Sequence, residues 1–120
     1  MNKELDLEKM LEAQRKFSKD RNWDQFHTPK NLAIALNVET SELLEIFQWL
    51  KDEESVQVMQ EENRSTQIKE EMADVLYYLI RLADILKIDL EKEFWNKQTK
   101  NAEKYPIEKA HGNAKKYTEF

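Results

Sequence analysis

Met72–Ile88 reads MADVLYYLIRLADILKI, and this stretch decides the fold. With Ile68 ahead of it, the residues Met72, Val75, Leu76, Leu79, Leu82, Ala83 and Leu86 recur at the three-and-four spacing of an α-helix. Ser65 suits the N-cap, and the helix should end near Lys87. The run is apolar on more than one face, whereas a helix in a small monomer has one face to bury. A central helix covered within the monomer would account for this, but 120 residues are few for such wrapping, so the surplus implies a partner chain.

Working outward, Lys51–Arg64 is a charged connector with a short helix expected over about Val56–Glu61. Before it, Thr28 as N-cap and Pro29 at the first helical position open a helix running to about Leu50. Leu5, Leu7, Met10, Leu11, Ala13 and Phe17 mark an earlier helix, about Asp6–Asp20. A fourth helix should span about Asp89–Lys104 and stop at Pro106. From about residue 107 a polar tail follows with no core to join. Four main helices, no repeat and no linker give an all-α helical bundle in a single domain, residues 1–120, completed by oligomerisation.

Composition narrows the chemistry. One glycine, Gly112, cannot build the glycine-rich turns of Rossmann or Walker-type phosphate sites. The absence of cysteine removes disulfides, zinc–thiolate sites, iron–sulfur clusters and thiol catalysis. A net charge of −5 argues against binding a nucleic acid polymer, whose phosphates must be neutralised by lysine and arginine. No apolar run approaches the roughly 20 residues that span a bilayer, and the N-terminus lacks the apolar core of a signal peptide. No membrane association and a cytoplasmic location are the expectation.

Three pairs of acids stand three residues apart: Glu39/Glu42, Glu42/Glu45 and Glu71/Asp74. Random placement of 24 acids would give roughly five, so the number carries no signal. Their position does, because all three lie in the two most hydrophobic helices. Glu39 interrupts an apolar stripe, and burying an unpaired carboxylate costs several kcal/mol unless a basic partner or a cation compensates. Glu71, Asp74, Tyr78 and Arg81 form a second line beside the core stripe of the later helix. Antiparallel packing would converge Glu39, Glu42, Glu71 and Asp74 on one site. Such oxygen-only ligation suits Mg²⁺ or Mn²⁺. The alternative is that these acids pair with lysines on a solvated face. A di-iron site needs Glu-x-x-His on its helices, and the only such pair, Glu108/His111, falls in the tail.

Trp49 follows Glu42 by seven residues, hence on the same helix face and about 10 Å along it. It could stack a base at that distance from metal-held phosphates, with Trp23 and His27 closing the opposite wall; core packing is the plainer role for a tryptophan. Lys97, Asn101 and Lys104, at 4-3 spacing, could hold phosphate oxygens or simply face solvent.

These residues carry a family pattern over about residues 14–118. E-x-x-E appears as Glu39-Thr-Ser-Glu42, and E-x-x-D as Glu71-Met-Ala-Asp74. With RNWDQFHTPKNLAIAL, ELLEIFQW, EEMADVLYYLIRLA, Asn101-Ala-Glu-Lys104-Tyr105-Pro106 and KYTE, the chain resembles the MazG-like all-α nucleoside triphosphate pyrophosphohydrolases, specifically their dCTP pyrophosphatase branch. The resemblance implies hydrolysis of a (deoxy)nucleoside triphosphate, dCTP or a modified pyrimidine dNTP, to monophosphate and pyrophosphate. It further implies Mg²⁺ ligation by Glu39, Glu42, Glu71 and Asp74, and base contacts from Trp23, His27 and Trp49. A contact from Tyr78, phosphate contacts from Lys97, Asn101 and Lys104, and a homo-oligomer, usually a tetramer, complete the expectation. A non-catalytic helical interaction module and a dUTPase-like activity on the same scaffold are the competing readings.

Overall fold

A computed structural model describes residues 4–120, and every regular element among them is helical. The chain divides into two compact units, one up to Lys87 and one from Ile88 to Phe120.

In the first unit, α1 (Leu7–Asp20) opens where the Asp6 side chain accepts a hydrogen bond from the Lys9 amide. After a 3-10 turn (Asp24–Phe26), α2 (Pro29–Phe47) starts as expected. Thr28 accepts from the Asn31 amide, and Pro29 holds the first helical position, where it has no N–H to leave unpaired. The helix ends at Phe47 rather than Leu50, and residues 48–50 form a turn.

The connector differs from the predicted helix over 56–61. Instead α3 (Asp52–Val56) forms four residues earlier and a 3-10 turn (Val58–Gln60) follows. The cause is electrostatic: Asp52, Glu53 and Glu54 crowd the first turn of α3, where carboxylates meet the positive end of the helix dipole. The Glu54 carboxylate accepts from the Lys51 amide at 2.8 Å. The long helix α4 (Glu62–Leu86) likewise starts before the predicted N-cap. Ser65 is buried within its first turn and its amide donates to the Glu61 carbonyl, while Glu61 pairs with Arg64 at 3.1 Å.

α4 packs most extensively against α2. The two run antiparallel, since Glu39 and Glu42 meet Glu71 while Ile46 shares a cavity with Gln67. The core is small: Leu32, Val58, Ile68, Ile80 and Ala83 are buried. Against α4, helix α1 buries Gln14 and Ser18, whereas Leu5 and Phe17 of its predicted apolar stripe stay exposed. Gln14 donates from Nε2 to the Tyr77 carbonyl at 2.7 Å, which explains how an amide came to occupy the contact. The glycine-poor chain places Asn22 and Lys87 at positive φ, and Lys87 thereby terminates α4. Among the described residues, no helix is long and apolar enough to cross a membrane.

In the second unit, Asp89 caps α5 (Leu90–Lys104), accepting from the Lys92 amide. Past Pro106 lie the one-turn helix α6 (Ile107–Ala110) and a 3-10 turn (Tyr117–Glu119). The tail was expected to join no core, but it folds back: the rings of Tyr117 and Phe120 meet Tyr105 edge-on, with centroids 6.0 and 5.8 Å away. Three aromatics spread over sixteen residues have no helical period, so pattern reading passes over them.

Candidate active site

Antiparallel packing of α2 on α4 draws carboxylate oxygens of Glu39, Glu42 and Glu71 within 4.8 Å of one another. All three residues are half-buried. Asp74 lies one turn further along α4, more exposed and outside this trio, although its charge reaches Glu39, Glu71 and Tyr78. The predicted convergence of four is therefore a cluster of three with a fourth acid adjacent.

The electrostatics of the trio are those of like charges held together. Burial pushes Glu39 up to about 7, reinforced by hydrogen bonding with Glu71 and Glu42 and by the charges of Glu42 and Asp74. For Glu71, the hydrogen bond with Glu39 pulls downward. Burial, with Glu42 and Asp74, outweighs it, and the net direction is upward. One oxygen of each, Glu39 Oε2 and Glu71 Oε2, is buried without a hydrogen-bond partner. None of the ion pairs among the described residues involves Glu39, Glu42, Glu71 or Asp74, so the lysine-paired alternative is not realised. Orphaned carboxylate oxygens in an all-oxygen donor set fit a hard divalent cation.

Two cavities flank the cluster along α4. The first, about 400 Å³, is lined by Glu42, Glu45, Ile46, Gln67 and Glu71. The second, about 260 Å³, is lined by Phe17, Trp23, His27, Asp74, Tyr77 and Tyr78. Trp23, His27 and Tyr78, chosen from sequence, thus line one cavity together with Asp74. Trp23 packs edge-on to Phe17, and burial followed by the charges of Glu39 and Asp74 raises the Tyr78 phenol above its ordinary value.

Trp49 does not share the helical face assumed for it. It lies in the turn beyond the end of α2, is 87% exposed and lines neither cavity. Lys97, Asn101 and Lys104 sit on α5 in the second unit, with both lysines exposed and the Lys104 ammonium 5.0 Å from the Tyr117 ring.

Sequence reasoning placed Arg81 in the acidic line but gave it no task. Its side chain is buried, and its guanidinium reaches Asp24 at 3.0 Å, His27 Nδ1 at 3.1 Å and Asp84 at 3.4 Å. Asp84 is held in turn by two hydrogen bonds from Arg15, at 2.6 and 2.9 Å, and these keep its carboxyl below the usual range. The signal was an arginine set among leucines with an aspartate three residues later.

The MazG-like family model matches residues 34–120, which include both acidic motifs. The chain belongs to the MazG-like family. It is 39% identical over 115 residues to dCTP pyrophosphatase 1 of Rattus norvegicus, covering 95% of this chain and 67% of that protein. The Homo sapiens dCTP pyrophosphatase 1 is 37% identical over 114 residues, with the same coverage. Among solved structures, a pyrophosphatase from Archaeoglobus fulgidus superposes with a TM-score of 0.79 at 40% identity. That match covers 88% of this chain and 97% of the archaeal one.

Proposed function

We propose that this MazG-like protein hydrolyses a pyrimidine deoxynucleoside triphosphate, dCTP or a modified relative, to the monophosphate and pyrophosphate. The observation that carries the proposal is the Glu39–Glu42–Glu71 cluster with two buried oxygens lacking partners, next to an aromatic cavity. The names of the two relatives support the substrate, and that of the archaeal structure supports the reaction.

Glu39, Glu42 and Glu71, with Asp74 from the next turn, would hold Mg²⁺ or Mn²⁺. Such an ion, when bound, neutralises triphosphate charge and makes water acidic enough to attack phosphorus near pH 7. One carboxylate of the Glu39–Glu42 pair accepts the proton of the attacking water. Trp23, His27 and Tyr78 line the cavity for the base, and Trp49, exposed in this chain, offers a stacking face to a nucleotide or a partner subunit. Lys97, Asn101 and Lys104 contribute donors to phosphate oxygens. A single domain over residues 1–120 remains the reading, and the family match over residues 34–120 supports it. A cytoplasmic homo-oligomer, a tetramer by the earlier resemblance, completes the picture.

The test is incubation with each dNTP and Mg²⁺, with products separated by anion exchange. Monophosphate and pyrophosphate should appear together, with dCTP or a 5-substituted dCTP ahead of dUTP and the purines. Orthophosphate release would overturn the reaction, and faster turnover of dUTP would move the protein to the dUTPase side of the scaffold.

A further inference from the structure

The Ser18–Asp24–His27–Arg81 network takes no part in holding a cation, yet it makes the densest set of side-chain hydrogen bonds in the first unit. Arg81 is only 3% exposed. A buried guanidinium is tolerated where carboxylates and acceptors meet its N–H groups, and Asp24, Asp84 and Ser18 do so here. Its Nε–H, however, is directed at an imidazole nitrogen, His27 Nδ1, at 3.1 Å.

That contact has one chemical meaning. A guanidinium has five donors and no acceptor, so Nδ1 must offer a lone pair and carry no proton. Ser18 Oγ also lies 3.3 Å from Nδ1, but its hydroxyl hydrogen points to Asp24 Oδ1 at 2.5 Å. That leaves Oγ able to accept, but it already faces an Arg81 Nη2–H at 3.5 Å, and a hydrogen on Nδ1 would also meet the fixed Nε–H of Arg81 at the shorter 3.1 Å, so the lone pair belongs on Nδ1. The charged groups around the ring agree. Burial and the Arg81 charge hold the imidazole below its usual pKa, against the opposing pull of Asp24, while Asp74 and Tyr78 share its cavity. His27 is therefore neutral near pH 7, with its single proton on Nε2.

The network also fixes where that proton points. Asp24 begins the 3-10 turn and His27 follows it, so Arg81 ties both ends of this short segment to α4. With Nδ1 turned inward, Nε2 is the ring nitrogen left for the cavity that His27 lines with Trp23, Asp74 and Tyr78. Asp74, Tyr78 and Arg81 project from successive turns of α4, so the acidic edge, the cavity and the clamp share one rigid element.

We infer that Arg81 is a positioning residue that fixes His27 as its Nε2–H tautomer, so that the cavity presents a neutral donor to an acceptor on the bound base. A carbonyl oxygen or an unprotonated ring nitrogen of a pyrimidine meets that donor, whereas a base edge bearing N–H at the same place is turned away. The inference rests on the proposed nucleotide reading for its ligand, though not for its tautomer.

The test is nitrogen-15 NMR of protein labelled at histidine, at pH 7.5, without metal or nucleotide. The chain has two histidines, and His111→Asn assigns the spectrum. Nδ1 of His27 should resonate as an unprotonated nitrogen and Nε2 as a protonated one. An imidazolium, or a proton on Nδ1, overturns the inference whatever the enzyme hydrolyses. Adding dCTP with Ca²⁺ should shift Nε2 more than Nδ1, and an unmoved Nε2 removes its role as donor. Arg81→Lys keeps the charge beside Asp24 and Asp84 but loses the planar fork. It should mix the tautomers and raise KM about 10-fold, with kcat within about 3-fold. An unchanged KM, or a fall in kcat alone, contradicts the positioning role. If no dNTP is turned over while the tautomer stands, the functional proposal has failed and the assignment of His27 has not.

Discussion

At the scale of single residues, Glu39 has the most informative chemistry. Its carboxyl rises to about 7 in the metal-free protein, against 4.5 for an unperturbed one. The folded state thus keeps a proton that the unfolded chain releases between these values. Stability from Glu39 is complete below about pH 4.5 and is lost as pH rises through about 7. His27 acts in the opposite sense: held below its usual 6.5, it contributes stability that is present above that value and lost as pH falls. Thermal melts in EDTA from pH 5 to 8.5 should show Glu39→Gln gaining on wild type as pH rises, because His27 is common to both and cancels. A constant difference across the range would deny Glu39 its raised pKa. The acidic motifs were legible in sequence because i, i+3 spacing on a helix fixes a shared face. The task of Arg81 was not, because its partners Ser18, Asp24 and His27 lie more than fifty residues away and no local spacing encodes them.

At the scale of elements, apolar periodicity recovered α1, α2, α4 and α5, and capping chemistry placed the start of α2 at Thr28. Both starts in the connector were misplaced because neither helix opens on a Ser or Thr cap: Asp52, Glu53 and Glu54 crowd the first turn of α3 and Glu62 stands in that of α4, and apolar periodicity does not weigh that charge. The early end of α2 then cost Trp49 its assumed place, since a face extrapolated along a helix is lost where the helix stops. Termination of α4 rests on Lys87 at φ 60°, a conformation glycine adopts freely and a side chain resists. Lys87→Gly should stabilise the chain by about 1 kcal/mol, read from the urea midpoint at unchanged slope. A loss of stability would mean that the Lys87 side chain makes a contribution larger than its backbone cost.

At the scale of the whole molecule, the apolar surplus read in Met72–Ile88 survives folding. Met72, Leu79 and Leu86 are 58%, 40% and 46% exposed on α4, and Ile34, Val38 and Leu44 are exposed on α2. Burying such side chains is worth about 1.5–3 kcal/mol each, a driving force for association of copies. Sedimentation equilibrium should give a multiple of 14.5 kDa, and Met72→Glu with Leu79→Glu should reduce it. A monomer in both proteins would end the oligomer proposal. The apolar period marked these faces in the sequence, but one chain's residues do not encode what covers them. The central claim is that the Glu39–Glu42–Glu71 cluster is a divalent-cation site for triphosphate hydrolysis. The initial rate of pyrophosphate release from dCTP against Mg²⁺ concentration, for wild type and Glu71→Gln, tests it most directly. The rate should vanish in EDTA and saturate with Mg²⁺ in wild type, and fall by at least about 100-fold in the folded variant. Equal rates in the two proteins, or turnover undiminished in EDTA, would contradict it.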